Sequence, residues 1–359
     1  MTEPFELRYG RLDRMVHRLA FATTQAQLGL ADLEDRMFGR DALKSDLKRP
    51  VFVTGLPRAG TTLLLELIAS QPEFGTHSYR DMPFVICPLL WDKLSRSFRR
   101  DTGTTERAHG DGMTVSVDSP EAFEEMLWKA YWQDHYLQDR IIPWGGDTDP
   151  DFDELFTNHM KKIVALRAAP GGAGRYVSKN NANIARIRYL RALFPDALLV
   201  IPFREPVAHA SSMHRQHLRF TGMHQADPFV RRYMEAIGHH DFGEGFKPID
   251  FGQWLDGSDN SDPERLEFWL AYWSAAYSRL VDETDEGCVL VDFDALCAAP
   301  LPHLERLGTA IRFEADQNFT AQVSRISPSG NKDPGKLGAP SSLVGTAQEL
   351  HQKLRKSTC

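Results

Sequence analysis

Apolar positions fall along this chain in two periods. Val51-Phe52-Val53-Thr54, Ala197-Leu198-Leu199-Val200-Ile201 and Gly287-Cys288-Val289-Leu290-Val291-Asp292 are short apolar runs that predict strands buried on both faces. Arg175-Tyr176-Val177-Ser178-Lys179 predicts a further short strand. Between them the apolar residues recur at helical spacing. Leu12, Met15, Val16 and Leu19, then Leu28, Leu33 and Met37, predict one or two amphipathic helices over 7–40. Leu63 to Ile68 predicts a helix leaving the first strand, stopped by Gln71-Pro72. Ser119-Pro120-Glu121 reads as a helix start, with a capping Ser, Pro at the first position and acids in the first turn, running through Trp128, Tyr131 and Trp132. Further helices are predicted over 153–168, over 184–193 with Asn183 as cap, after Pro206, over 264–283, over 294–310 and over about 345–356. Pro202 donates nothing to a ladder, so it is expected at the last position of its strand. Residues 71–118 read as irregular, with a mobile loop at 99–112, and 326–340 reads as a Pro/Gly/Ser/Lys loop.

Short buried strands alternating with helices predict an α/β fold, a central parallel sheet flanked by helices on both faces. A chain of 359 residues suits one domain with insertions. The expectation is a single domain over 1–359, with the helices of 1–49 packing on it and 80–170 and 221–265 as substrate-side insertions. No internal repeat or low-complexity tract is visible.

Composition narrows the function classes. At 42% apolar and 25% charged residues the chain can bury a sizeable core, and a formal charge of −7 argues against general nucleic-acid binding. Cys87, Cys288, Cys297 and Cys359 show no zinc-like spacing and imply no disulfide framework. The N-terminus lacks a signal-peptide pattern, and no apolar run approaches the length that spans a bilayer. A cytoplasmic location without a transmembrane segment is the expectation.

The chemistry concentrates where the first strand ends. Gly55-Leu56-Pro57-Arg58-Ala59-Gly60-Thr61-Thr62 links that strand directly to an apolar helix. Backbone amides of such a turn, with the helix dipole behind them, form a phosphate cradle. Gly55, Gly60 and Thr62 keep the spacing of the NTPase phosphate loop, but Thr61 stands at its Lys place and the cation sits upstream at Arg58. An NTPase needs the Lys that reaches the outer phosphates. A protein binding a single 5′-phosphate does not, and Arg58 offers a planar fork for one phosphate and its bridging oxygen. Lys179 and Arg204 also lie at or just after strand ends, where ligands of such sheets bind.

Pro57-Arg58-Ala59-Gly60-Thr61-Thr62 resembles the 5′-phosphosulfate loop of the sulfotransferase family, Pro-Lys/Arg-x-Gly-Thr-Thr, in its bacterial and tyrosylprotein branches. The resemblance implies the P-loop NTPase-like sulfotransferase core and 3′-phosphoadenosine-5′-phosphosulfate (PAPS) as donor, with 3′-phosphoadenosine-5′-phosphate (PAP) as product and no metal. Arg204, at the end of Leu198-Leu199-Val200-Ile201-Pro202-Phe203, and Ser212, eight residues on, look like the family's site for the donor's 3′-phosphate. Lys179 looks like the family's Lys on the transferring group. In cytosolic members a His two residues past that Lys is the general base; Asn181 stands there instead.

The resemblance then implies a base after the first helix, as in branches that use a carboxylate there. A direct count from Arg58 lands on Tyr79, flanked by His77 and Asp81. His77 has a suitable ordinary pKa and Asp81 would need its own raised by burial. Glu121, Glu124 and Glu125 are further options. Asn331 to Gly338 loosely resembles the family's segment over the adenine and 3′-phosphate. The expected acceptor is a hydroxyl of a small molecule, glycan or lipid, with no nucleic-acid partner and a homodimer possible. The other readings are a P-loop kinase-like enzyme, which a magnesium requirement would reveal, and a PAPS-binding protein without turnover.

Overall fold

The computed structural model describes residues 24–44, 46–96, 105–106, 114–115, 119–168, 174–256, 261–313, 319, 322–326 and 341–358. Its centre is a five-stranded, wholly parallel sheet. The strands are β1 (Val51–Val53), β2 (Phe74–Gly75), β5 (Arg175–Lys179), β6 (Leu198–Phe203) and β7 (Cys288–Asp292), in the order β2-β5-β1-β6-β7. A separate antiparallel pair joins β3 (Thr105–Glu106) to β4 (Thr114–Val115).

Alternation along each strand sorts the core into two layers. Phe52, Tyr176, Leu199 and Ile201 face one side, against the aromatic residues of α4 (Glu125–Tyr131), α5 (Pro150–Arg167) and α9 (Leu266–Glu283). Val51, Val53, Val177, Leu198 and Val200 face the other, against α2 (Thr61–Ala69), α10 (Phe293–Ala298) and α11 (Pro300–Ala310). The remaining helices are α1 (Thr24–Ala42), α3 (Pro88–Ser95), α6 (Ile187–Leu193), α7 (Pro206–Ala226), α8 (Pro228–Ala236) and α12 (Ser341–Lys356).

The chain leaves β1 toward β2 on one side and leaves β6 toward β7 on the other. The carboxyl ends of β1 and β6 therefore border the switch point of the sheet, the crevice where ligands bind in this architecture.

Several local expectations change. Pro202 lies inside β6, one place before its end. Leu198 N bonds Pro50 O toward β1 and Leu199 N bonds Gly287 O toward β7, so the amide missing at 202 would face β1. β1 has already ended at Val53 there, and nothing in the ladder needs that donor. Ser119-Pro120 does not start a helix: Pro120 bridges Ser78, Glu121 N bonds His77 O, and α4 begins at Glu125. Asn183 does not cap a helix over 184–193. Asn180 instead caps a 3-10 turn over Asn181–Ala185, and α6 starts at Ile187. Residues 71–118 contain β2 and α3, and 221–265 contains the last turn of α7 and all of α8. The first predicted helix over 7–23, nearly all of the 99–112 loop and the 327–340 loop lie outside the described residues.

Candidate active site

The loop after β1 is built from left-handed backbone. Gly55, Arg58 and Gly60 take φ of 142°, 71° and 98°. Such angles turn successive amides to one side, the concave arrangement that receives anions. Gly60 is also the N-cap of α2, and no side chain caps that helix end. Its first-turn amides have no intrahelical acceptor and face the cradle. A side chain at Gly60 has no room, because a Cβ there would lie 2.1 Å from the Phe293 ring.

Buried polar groups hold the loop from three sides. His209 of α7 donates from Nε2 to Pro57 O at 2.9 Å and accepts Trp273 Nε1 on Nδ1 at 3.1 Å. Burial, with Arg204 nearby, pushes its pKa down to about 3, so the ring is neutral and its tautomer is set by these partners. Arg204 leaves the end of β6, with Nη1 3.3 Å from Arg58 O and Nε 3.4 Å from Asp294 Oδ1. Asp294 also accepts Glu205 N at 2.7 Å, which fixes the β6–α7 junction. From the β5 side, Asn181 accepts Thr54 Oγ1 on its carbonyl and Thr61 Oγ1 on its side chain, both at 3.2 Å. Asn181 Nδ2 then donates to Asp241 Oδ2 at 2.7 Å. Thr61, at the Lys place of an NTPase loop, is thus a buried structural hydroxyl.

Arg58, Lys179 and Arg204 all lie at or after the carboxyl ends of neighbouring strands, β1, β5 and β6, as the sequence suggests. Lys179 is the last residue of β5 and nearly buried. Ser212 lies half-buried in the second turn of α7, while its neighbour Ser211 is buried.

His77 and Asp81 sit elsewhere, in a closed network. Each is 1% exposed. His77 Nδ1 meets Asp81 Oδ2 at 3.3 Å and its Nε2 meets His159 Nε2 at 3.1 Å. Asp81 also accepts Ser78 N at 3.0 Å and pairs with Arg167. Burial opposes its charge, but His77 and Arg167 outweigh that and hold the carboxyl below its ordinary range. With both ring nitrogens engaged and the carboxylate already paired, neither group is presented to an acceptor hydroxyl.

Glu124 and Glu125 are structural as well. Glu124 is fully buried and receives Trp128 Nε1, Tyr176 OH, Ser178 Oγ and Asn183 Nδ2. Glu125 pairs with Arg186 at 2.7 and 2.9 Å and accepts Tyr136 OH and Asn180 Nδ2. The Arg186 guanidinium lies between Trp128 and Trp144, 4.4 and 4.1 Å from their centroids. Glu121 is half-buried, bonded by Tyr79 OH and by Ala122 N. Tyr79, the position reached by the count from Arg58, therefore points to a carboxylate rather than being one.

Sequence reasoning did not find His209, Asn181's structural role, or the His239–Asp241 pair beside it, whose Nε2 and Oδ2 are 3.8 Å apart. His209 meets Pro57 and Asn181 meets Asp241 across separations of 60 residues or more, and no local motif announces these contacts.

Residues 50–242 match the family model described as "Sulfotransferase family". Nothing matches among curated protein sequences. Among solved structures, the chain is similar to sulfotransferase STF9 from Mycobacterium avium, with TM-score 0.55 and 14% identity over 94% of this chain and 84% of that one. Sulfotransferase STF1 from Mycobacterium tuberculosis aligns at TM-score 0.49 and 15% identity, covering 95% and 85%. A sulfotransferase from Alicyclobacillus acidocaldarius aligns at 0.43 and 12%, covering 86% and 97%. The first of these likenesses shows a shared fold; the model match spans more than half of the chain.

Proposed function

The chain belongs to the sulfotransferase family, and from that premise we propose that it transfers the sulfuryl group of PAPS to an acceptor hydroxyl. The observation that carries this reading is the Pro57–Thr62 loop: left-handed at Arg58 and Gly60, uncapped at the start of α2, and held by Arg204 through the Arg58 carbonyl. A site made of amides and a guanidinium suits a phosphosulfate, whose transfer requires charge stabilisation and little covalent chemistry from the protein.

In the proposed reaction the acceptor oxygen attacks sulfur in line. The bond from sulfur to the bridging phosphate oxygen breaks, and that oxygen carries the charge away on PAP. Arg58, the loop amides and Lys179 stabilise the leaving phosphate, and Arg204 with Ser212 hold the 3′-phosphate from the strand end and the helix. His209 and Asn181 keep the loop in place before the donor arrives. The whole of 1–359 acts as one domain in this reading, and the acceptor is a small-molecule, glycan or lipid hydroxyl. Among the described residues no helix is long and apolar enough to cross a membrane; a cytoplasmic setting is part of the proposal.

Purified protein incubated with sulfur-labelled PAPS and fractionated small-molecule, glycan and lipid extracts tests the reading. The expected result is label moved to a hydroxyl-bearing acceptor, with stoichiometric PAP and no need for added magnesium. Label that stays on the nucleotide in every fraction, or nucleotide turnover that depends on ATP and magnesium, overturns it.

A further inference from the structure

With His77 and Asp81 closed off, the reaction still needs a group to take the acceptor proton. The segment after α8 supplies one. α8 ends at Ala236, and two residues on Gly238 is left-handed at φ 77°, where a Cβ would lie 2.7 Å from Glu125 Cγ, so the turn is fixed by packing as well as by backbone. Gly238 N bonds Glu235 O and His239 N bonds Met234 O, closing the helix end and setting the direction in which His239 leaves it. The ring then stacks on Phe220 of α7, with centroids 5.7 Å apart and planes at 9°. Its Nε2 lies 3.8 Å from Asp241 Oδ2, and its side chain keeps 18% exposure, unlike the sealed His77.

Asp241 ties this ring to the phosphate loop. It accepts Asn181 Nδ2, and Asn181 accepts the hydroxyls of Thr54 and Thr61. Asn181 stands where the resemblance implies a His in the cytosolic branch, and an imidazole is found one carboxylate away, at His239. The charged and titratable groups that face His239 are Asp241 on its own segment, Lys179 at the end of β5, Glu121 ahead of α4 and His224 on α7.

We propose, on the strength of the sulfotransferase reading above, that His239 Nε2 takes the acceptor proton and that Asp241, 3.8 Å from that nitrogen, balances the imidazolium that forms. As the new oxygen–sulfur bond forms and the bond from sulfur to the phosphate oxygen breaks, the acceptor proton passes to Nε2. The resulting cation faces Asp241, and the proton is later returned to water. Burial first of all, and Lys179 beside it, press the His239 pKa below its ordinary value, against the pull of Asp241 and Glu121; the ring is therefore neutral and ready to accept at neutral pH.

The test uses labelled PAPS with water as the acceptor present in every reaction, and phenol and 4-nitrophenol as added acceptors. PAP release is followed across pH, and PAP binding is measured separately by calorimetry. His239→Gln and His239→Ala should bind PAP within about twofold of wild type, while transfer to water and phenol falls about 10²- to 10⁴-fold. Transfer to 4-nitrophenol at alkaline pH, where it is ionised, should fall far less. Asp241→Asn removes an anion that raises the His239 pKa, so its acid limb should move to lower pH while its rate drops; a merely structural aspartate would leave the limb in place. Glu121→Gln removes a weaker anion near the ring, so it should keep most of the transfer with its acid limb moved slightly to lower pH. Wild-type rates in both His239 variants, or loss in Glu121→Gln alone, overturn the assignment of the base and leave the donor site standing. A wild-type protein that does not bind PAP overturns the sulfotransferase reading, and this inference with it.

Discussion

Replacing Gly60 by alanine perturbs the cradle through two separable terms. The backbone at Gly60 has φ 98° and ψ 10°. An L-residue held in left-handed conformation costs about 1–2 kcal/mol. The added Cβ would also lie 2.1, 2.3 and 2.5 Å from three atoms of the Phe293 ring. Phe293 packs against the second core layer, and the next residue, Asp294, holds Arg204 and Glu205 N. Overpacking of this kind costs about 1–3 kcal/mol. Together the two terms come to about 2–5 kcal/mol. If the loop relaxes out of its binding shape to escape them, PAP affinity falls by roughly 30-fold to several thousand-fold. Isothermal calorimetry of Gly60→Ala, Phe293→Ala and the double variant separates the terms. Removing the ring should restore the share due to the clash and leave the backbone share, giving a coupling of about 1–3 kcal/mol. A Gly60→Ala protein that binds PAP within twofold of wild type, with unchanged thermal stability, would refute the placement of this glycine.

Arg58→Ala should lower turnover about 10²- to 10³-fold, with Arg58→Lys retaining part of the rate and Arg58→Gly as inactive as Ala but at least as stable, since φ 71° suits glycine; steady-state kinetics beside thermal melts decide, and near-full activity in Arg58→Ala removes the loop from catalysis. Acid should destabilise the fold well above the carboxylate range. His209, His217 and His240 are buried and have pKa values pushed down by burial to about 3, 4 and 4, whereas unfolded histidine titrates near ~6.5. The unfolded chain therefore binds more protons as pH falls below that value, and stability present above it is lost on the way down to the folded pKa values. Each histidine contributes about 2 kcal/mol of loss between about pH 6.5 and 5, or ~6 kcal/mol together as an upper bound. Urea midpoints that stay flat over that interval would contradict a buried, neutral state for these three rings.

The parts of this protein legible in its sequence are those written locally. A strand, a glycine-bounded turn and a helix in direct succession placed the cradle at 51–69, and Arg204 followed its strand because an apolar run ending before a Pro-initiated helix has a clear boundary. Strand β2 has two residues, too few for any period to show, so its stretch of sequence looks irregular. The Ser119-Pro120 signal was sound chemistry for a helix start, yet tertiary pairing with Ser78 and His77 claimed those backbone groups first. His77 and Asp81 looked suited to proton transfer by residue type alone. Their exclusion depends on His159 and Arg167, 82 and 86 residues away, which no spacing argument reaches. His209 and the Asn181–Asp241 link escaped notice for the same reason.

The proposed donor site combines a cradle for a 5′-phosphosulfate with a second grip, from Arg204 and Ser212, on a 3′-phosphate. Calorimetry of wild-type protein with PAP and with AMP, which differ only in the 3′-phosphate, tests this most directly. One charged, bidentate contact corresponds to about 1.5–3 kcal/mol, so PAP should bind roughly 10- to 100-fold more tightly than AMP, and Arg204→Ala should erase most of the difference. Equal affinities for the two nucleotides would contradict the account.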